Sequence, residues 1–247
     1  MAPTPIFAAT MKAIYIFFIL IGALTSSCSN SKCEKAEGPR TARIIQTGDY
    51  SEFVLDMVAD VIIELDSNRA AFIEIVAQDQ MHGMIRSENN AGELTVLLKG
   101  CVKENEIPLI NAWSKDFDRI RLESAGRIES RSIVEREELR LSNYGLGNID
   151  FVVNNKRLIA EIKSSGDLTL GGSCDQFDFL TTSSGDLHAF NLVTDTINLN
   201  VFGSSVCEVY TNGVLNIHFF EIGTVNYRGT PSQINIIGPG DVKNVNL

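Results

Sequence analysis

The hydrophobic residues of this chain fall into columns. The stretch SSGDL is written twice, at 164–168 and 183–187, and its glycine serves as a reference point. Similar turns stand at Gly126, Gly147, Gly166 and Gly185, then at Ser205, Gly223 and Gly240, in steps of 21, 19, 19, 20, 18 and 17 residues. Eight, six and four places before the reference the chain reads Leu139/Leu141/Asn143, Leu158/Ala160/Ile162, Phe177/Phe179/Thr181, Ile197/Leu199/Val201 and Leu215/Ile217/Phe219. Two places after it come Ile128, Ile149, Leu168, Leu187, Cys207, Val225 and Val242, all apolar. The intervening positions are mostly polar. Seven places before stand Arg119, Arg140, Ile159, Asp178, Asn198, Asn216 and Gln233. Five before stand Arg121, Ser142, Glu161, Leu180, Asn200, His218 and Asn235. Strand side chains alternate between faces, so the first set points inward and the second to solvent.

A unit of this length is too short for strand–helix–strand, which takes about 30 residues. It suits short strands joined by turns and stacked as coils. The pattern predicts an all-β chain: a parallel β-helix, or β-solenoid, with coils of about 19 residues. Six steps at about 4.8 Å make a stack about 29 Å tall, and right-handed crossover is the expected sense. Glycine at the turn is expected to supply a positive φ, and Asp or Asn beside it to favour tight turns.

Residues 42–100 alternate without keeping this period. FVLDMVADVIIELD, AFIEIVAQ and ELTVLLKG read as strands that form the first, irregular coils or a capping β-sheet. QDQMHGMI reads as a short helical turn, and 101–115 as an irregular connection carrying the only Trp, Trp113. The expectation is one β-solenoid domain over 42–247, with 42–115 as its N-terminal cap and 116–247 as its repeated coils.

The front of the chain is different. Met11-Lys12 followed by AIYIFFILIGAL (13–24) reads as an export signal over 1–27, with Met11 the natural start. Twelve helical residues span only about 18 Å, short of a bilayer core of about 30 Å. LTSSC then resembles a lipobox with Cys28 as the lipidated residue; ordinary cleavage leaving a free Cys28 is the alternative. Residues 28–41 read as a polar tether. These features place the protein outside the cytoplasm, in the cell envelope as an outer-membrane lipoprotein, anchored by lipid alone and on either face of that membrane. An exported compartment permits disulfides among Cys33, Cys101, Cys174 and Cys207, with three pairings open. Cys174 and Cys207 also fit as buried small hydrophobes. A net charge of −10 argues against a nucleic-acid partner and against docking of the folded body on anionic lipid.

Several stretches together are similar to a known family, the bacterial putative auto-transporter adhesins of the head GIN domain type. These are the entry FVLDMVADVIIELD (53–66), ELTVLL (93–98), the turns SAGRI, SSGDL and SSGDL, and the ending VNYRGTPSQINIIGPGDV (225–242). The likeness covers about residues 43–245. It implies an exported, surface-associated all-β protein, often a lipoprotein, and brings no catalytic residues with it. Ser205 in place of a turn glycine and the longer coil at SNYGLGNI depart from the family pattern.

Candidate chemistry is sparse. His82, His188 and His218 lie in no metal-binding motif. Asp167, Asp186 and Asp241 follow the turn glycine, where turn formation competes with Ca²⁺ binding as the explanation. Glu161, Asp178 and His218 share the outer face, and paired carboxylates there would serve a polysaccharide lyase or hydrolase. No Lys or Arg is expected beside those carboxylates in the later coils. Walker, Rossmann and nucleophile-elbow signatures are absent, so neither a cofactor nor a metal site is expected. The candidate binding residues are Asn198, Asn200, Asn216, His218, Phe220 and Asn235: amides for hydrogen bonds and an outward ring for stacking. The competing account is that asparagines simply stack on one another and Phe220 packs under a loop. The function read from the sequence is a non-catalytic surface module for glycan or protein. Its alternatives are a carbohydrate-active enzyme and a structural envelope protein, with end-to-end self-association open.

Overall fold

The computed structural model describes residues 33–103 and 106–246. The export signal and Cys28 lie outside them. The described chain is built from strands and turns: β1 (Glu34–Lys35), β2 (Arg40–Gln46), β3 (Glu52–Asp56), β4 (Asp60–Leu65), β5 (Phe72–Gln78), β6 (Ile85–Asn90), β7 (Glu93–Leu98), β8 (Val102–Lys103), β9 (Leu109–Ser114), β10 (Arg119–Leu122) and β11 (Arg127–Ser130). Longer strands follow, each bent around one coil: β12 (Val134–Asn143), β13 (Asn148–Ile162), β14 (Leu168–Thr181), β15 (Leu187–Val201) and β16 (Val206–Phe219). The last are β17 (Thr224–Arg228), β18 (Gln233–Ile237) and β19 (Asp241–Asn244). One short 3-10 turn, Asp79–Gly83, sits where a helical turn is expected.

The stacking follows the columns. Ile128 lies over Val61 and under Ile149, and the line continues through Leu168, Leu187, Cys207, Val225 and Val242, each the direct partner of the next. A second line runs Leu139, Leu158, Phe177, Ile197, Leu215. All pairs in both lines are parallel, and their members up to Val225 are buried. The chain is a β-solenoid with coils of about 19 residues. Each fully buried Leu or Phe contributes about 1.5–3 kcal/mol of apolar burial, so the repeat is an energetic unit as well as a geometric one.

The turn glycines serve a purpose other than the expected one. None of Gly126, Gly147, Gly166, Gly185, Gly223 and Gly240 has a positive φ. They are required because the coils meet there. A Cβ on Gly166 would run into the carbonyl oxygen of Gly147 and lie 2.8 Å from Asn143 Nδ2. A Cβ on Gly147 would meet the carbonyl oxygen of Gly126 in the same way. Where Ser205 replaces the glycine, its hydroxyl points into the core, 2.9 Å from Thr181 Oγ1 and donating to the Ser183 carbonyl at 2.8 Å. The aspartates join coils rather than closing their own turns. Asp167 Oδ1 accepts the peptide N–H of Asp186 at 2.9 Å, and Asp186 Oδ1 accepts that of Val206 at 2.8 Å. Asn148 Oδ1 does the same for Asp167 at 3.1 Å.

The N-terminal part supplies both regular coils and a cap. β3 and β4 stack in parallel on β10 and β11, and also in parallel on β7 and β9. The rung made by residues 52–65 therefore lies between two rungs made later in the chain. The 101–115 segment is not an irregular connection: β9 is a full strand, and Trp113 stacks on Phe72 with ring centroids 4.4 Å apart. Antiparallel β6 on β7, and β5 and β2 beyond β9, close this end. In the stretch expected as a tether, Ala36 is buried and β2 has already begun. Cys33 and Cys101 are disulfide-bonded, while Cys174 and Cys207 are free and buried. Burial pushes the Cys174 thiol up to about 11 and the Cys207 thiol higher still, so both are inert.

Candidate functional site

One sheet of the solenoid turns a long outer face to solvent, formed by β3, β7, β10, the second halves of β12 to β16, and β18. Two lines of side chains run up it. One is Arg119, Arg140, Ile159, Asp178, Asn198, Asn216, Asn235. The other is Arg121, Ser142, Glu161, Leu180, Asn200, His218, Ile237. The last coil departs from the expected alignment. Asn216 faces Asn235 rather than Gln233, and His218 faces Ile237 rather than Asn235. The final step of 17 residues is short because two residues are lost after β18, not within it. A shift of two leaves every side chain on its own face.

The asparagines form a ladder. Asn235 donates to Asn216 Oδ1 at 2.7 Å, Asn216 to Asn198 Oδ1 at 2.8 Å, and Asn198 to Asp178 Oδ1 at 2.7 Å. Each amide nitrogen still has a second N–H, because a primary amide has two donors. Asn200 stands in the neighbouring line, beside this ladder. His218 lies against Phe220 with ring centroids 3.9 Å apart. Phe220 points outward, 45% exposed, and stacks on Phe202 at 3.7 Å with only 6° between the rings. Phe220 is therefore packed on a second exposed ring rather than under a loop. The structure brings all six candidates onto one face and adds Phe202. That residue had a signal: Val201-Phe202 and Phe219-Phe220 are apolar pairs 18 apart, the first inward and the second outward. A shallow depression of about 270 Å³ lies over Asn198, Asn200, Asn216, His218, Asn235 and Ile237.

The other end of the face is ionic. Arg119 pairs with Glu52 at 3.2 Å, Arg121 with Glu123 at 2.8 Å, and Arg140 with Glu138 at 2.6 Å. Basic residues do stand beside the carboxylates, against expectation: Arg157 reaches Asp178 at 2.7 Å, and Lys163 reaches Glu161 at 3.1 Å. A cavity of about 350 Å³ opens here between Arg121, Arg140, Tyr144, Glu161 and Asn200. Burial pushes the Glu161 carboxyl up, but hydrogen bonds from Tyr144, Lys163 and Ser142 outweigh it and hold the pKa below the ordinary carboxylate range. Asp178 is held down in the same way, burial being outweighed by Asn198, Gln176 and Arg157. Both are ionised acceptors at neutral pH and poorly suited to donate a proton as a general acid.

On a different face, Asp167, Asp186 and His188 bring ligand atoms within 4.8 Å of one another. Both aspartates there already accept inter-coil peptide N–H groups, and His188 Nδ1 lies 2.9 Å from Glu208 Oε2. Bonding between coils gives Asp167 and Asp186 a structural role.

The same architecture is found in solved structures. A putative adhesin from Bacteroides fragilis superposes with a TM-score of 0.80 at 16% identity, over 86% of this chain and 99% of that one. A putative lipid binding protein from Parabacteroides distasonis does so with a TM-score of 0.66 at 19% identity, over 86% of this chain and 100% of that one. A putative adhesin from Parabacteroides merdae gives 0.67 at 20% identity, over 85% and 98%. At these identities the likeness concerns the fold. No curated protein matches the chain. The family model described as "Putative auto-transporter adhesin, head GIN domain" matches residues 50–231, which is most of the chain. The chain belongs to that family.

Proposed function

We propose that this protein is an exported, lipid-anchored surface module that binds glycan, without catalysis, through the aromatic and amide end of its long outer face. The observation that carries this reading is the ridge of three rings, His218, Phe220 and Phe202, beside a ladder of amides with spare donors. Sugars present apolar C–H patches and hydroxyls together, and protein sites meet them with apolar rings and oriented polar groups. The coils hold these groups on a rigid sheet, so binding orders few side chains. Membership in an adhesin-like family is consistent with a ligand at the cell surface. Cys28 would carry the lipid.

A glycan array, followed by calorimetry on the hits, tests the reading. Replacing both rings, Phe202→Ala with Phe220→Ala, should weaken binding by about fivefold to 150-fold, since each ring contact is worth about 0.5–1.5 kcal/mol. A glycan bound equally well by the double variant, or no glycan bound at all, would overturn it. Palmitate labelling of cells, lost in Cys28→Ala, tests the anchor separately.

A further inference from the structure

The two ends of the solenoid are built differently. At the N-terminal end the outermost strands, β6 and β2, run antiparallel to their neighbours and carry charge: Arg86 and Glu88 on β6, Arg40 and Arg43 on β2. Charged side chains on an edge strand discourage pairing with another edge. At the other end, among the described residues, β19 carries Asp241 and Lys243, but β18 carries no charge. Among the described residues, β18 pairs only with β16 and β19 only with β17, so one edge of each is unpaired. β18 reads QINII and holds no charge. Its Ile234 and Ile236 extend the buried lines Leu215 and Ile217, yet they are 37% and 49% exposed. Ile237, the last residue of β18, adds exposed apolar surface at 62% exposure.

We infer that this end is a self-association surface, and that its partner is a second copy of the chain related by a two-fold axis. An unpaired strand edge is self-complementary when the second copy runs antiparallel, which is what a two-fold supplies. At the N-terminal end the edges of β2 and β6 carry charge that disfavours pairing, so the contact joins like ends and stops at two copies. Charge permits it: the chain carries −10 overall, but residues 224–246 hold only Arg228 and Lys243 against Asp241, a net of +1. Two such ends meet with little repulsion. The exposed isoleucines of each copy then cover those of the other, and β18 of one extends the outer sheet of the other. The inference rests on strand edges and does not depend on the nature of the ligand.

The test is light scattering on the full chain in mild detergent, with Ile236→Lys/Ile237→Lys set against Ile44→Lys on β2 as a control at the capped end. The wild type and the Ile44 variant should have the mass of two chains. The end variant should be monomeric, with dissociation at least about 100-fold easier, because like charges would meet across the axis. Circular dichroism checks that it remains folded. Amide exchange along β18 in the wild type should slow as concentration rises, a readout that needs no variant. A monomeric wild type, a dimer indifferent to the end variant, a dimer lost in the Ile44 variant, or capture of a strand from another protein in place of a second copy would each overturn the inference.

Discussion

Replacing Gly166 by alanine tests the reason for the repeated turn. A Cβ at this position would collide with the Gly147 carbonyl oxygen, and would also lie 2.8 Å from Asn143 Nδ2 and 2.9 Å from the Gly145 carbonyl. Two of these three atoms are backbone of the coil below. Ordinary contact begins at 3.4 Å, so two coils spaced by about 4.8 Å must part locally by an ångström or more. Overpacking costs about 1–3 kcal/mol, and a clash with backbone belongs at the upper end. Moving the Gly147 carbonyl also strains its 2.7 Å hydrogen bond from Asn143, worth about 1 kcal/mol. The sum is about 3–4 kcal/mol. Gly171 is the control, five residues on in the same coil: its nearest neighbours would be 3.7 Å away and its φ is not positive. Alanine there should be neutral or stabilise by up to about 1 kcal/mol. In urea, at about 3 kcal/mol per molar, Gly166→Ala should lower the midpoint by about 1 M while Gly171→Ala leaves it in place or raises it. Equal midpoints for the two variants would refute the close-approach argument and return the glycine to a turn preference.

Two further outcomes follow from the bonds between coils. Asp186→Ala should cost about 1.5–3 kcal/mol by removing the charged acceptor for the Val206 N–H, and Asp186→Asn should recover much of it, both read by urea denaturation. Glu161 titrates below its unfolded value, so its stabilising effect is complete above the ordinary carboxylate range and is lost as pH falls through the depressed folded value. Wild type should therefore be more stable than Glu161→Gln at pH 7, and the gap should narrow as pH falls below the ordinary carboxylate range; a gap that widens on acidification would contradict the assignment.

The coil architecture was legible because a solenoid asks the same question at every turn. Leu168 and Leu187 occupy equivalent places, so each confirms the other, and one period fixes both the inward line and the outward one. What escaped the sequence depends on contacts between coils. The need for glycine at 166 lies in a carbonyl 19 residues earlier, and nothing in the local SSGD motif distinguishes that from a turn requirement. The register of the last coil escaped because a step of 17 could have lost its two residues on either side of β18. β9 was hidden for a related reason. Its partners, β4 and β5, lie tens of residues upstream, and a single strand of six residues does not establish a period. At the candidate site, the outward direction of Phe220 followed from alternation. Its partner Phe202 required noticing that the preceding coil ends in the same kind of pair.

The placement of residues 52–65 has a consequence for assembly. This segment leaves the ribosome, or a translocation channel, before either of its eventual neighbours exists. Both of its edges stay open until residues 93–130 have followed, so the base must close as one cooperative event over a long stretch of chain. Every later turn needs only the one already laid down. Growth above the base is then a zipper, and the slow, vulnerable interval in the life of this molecule falls at its beginning.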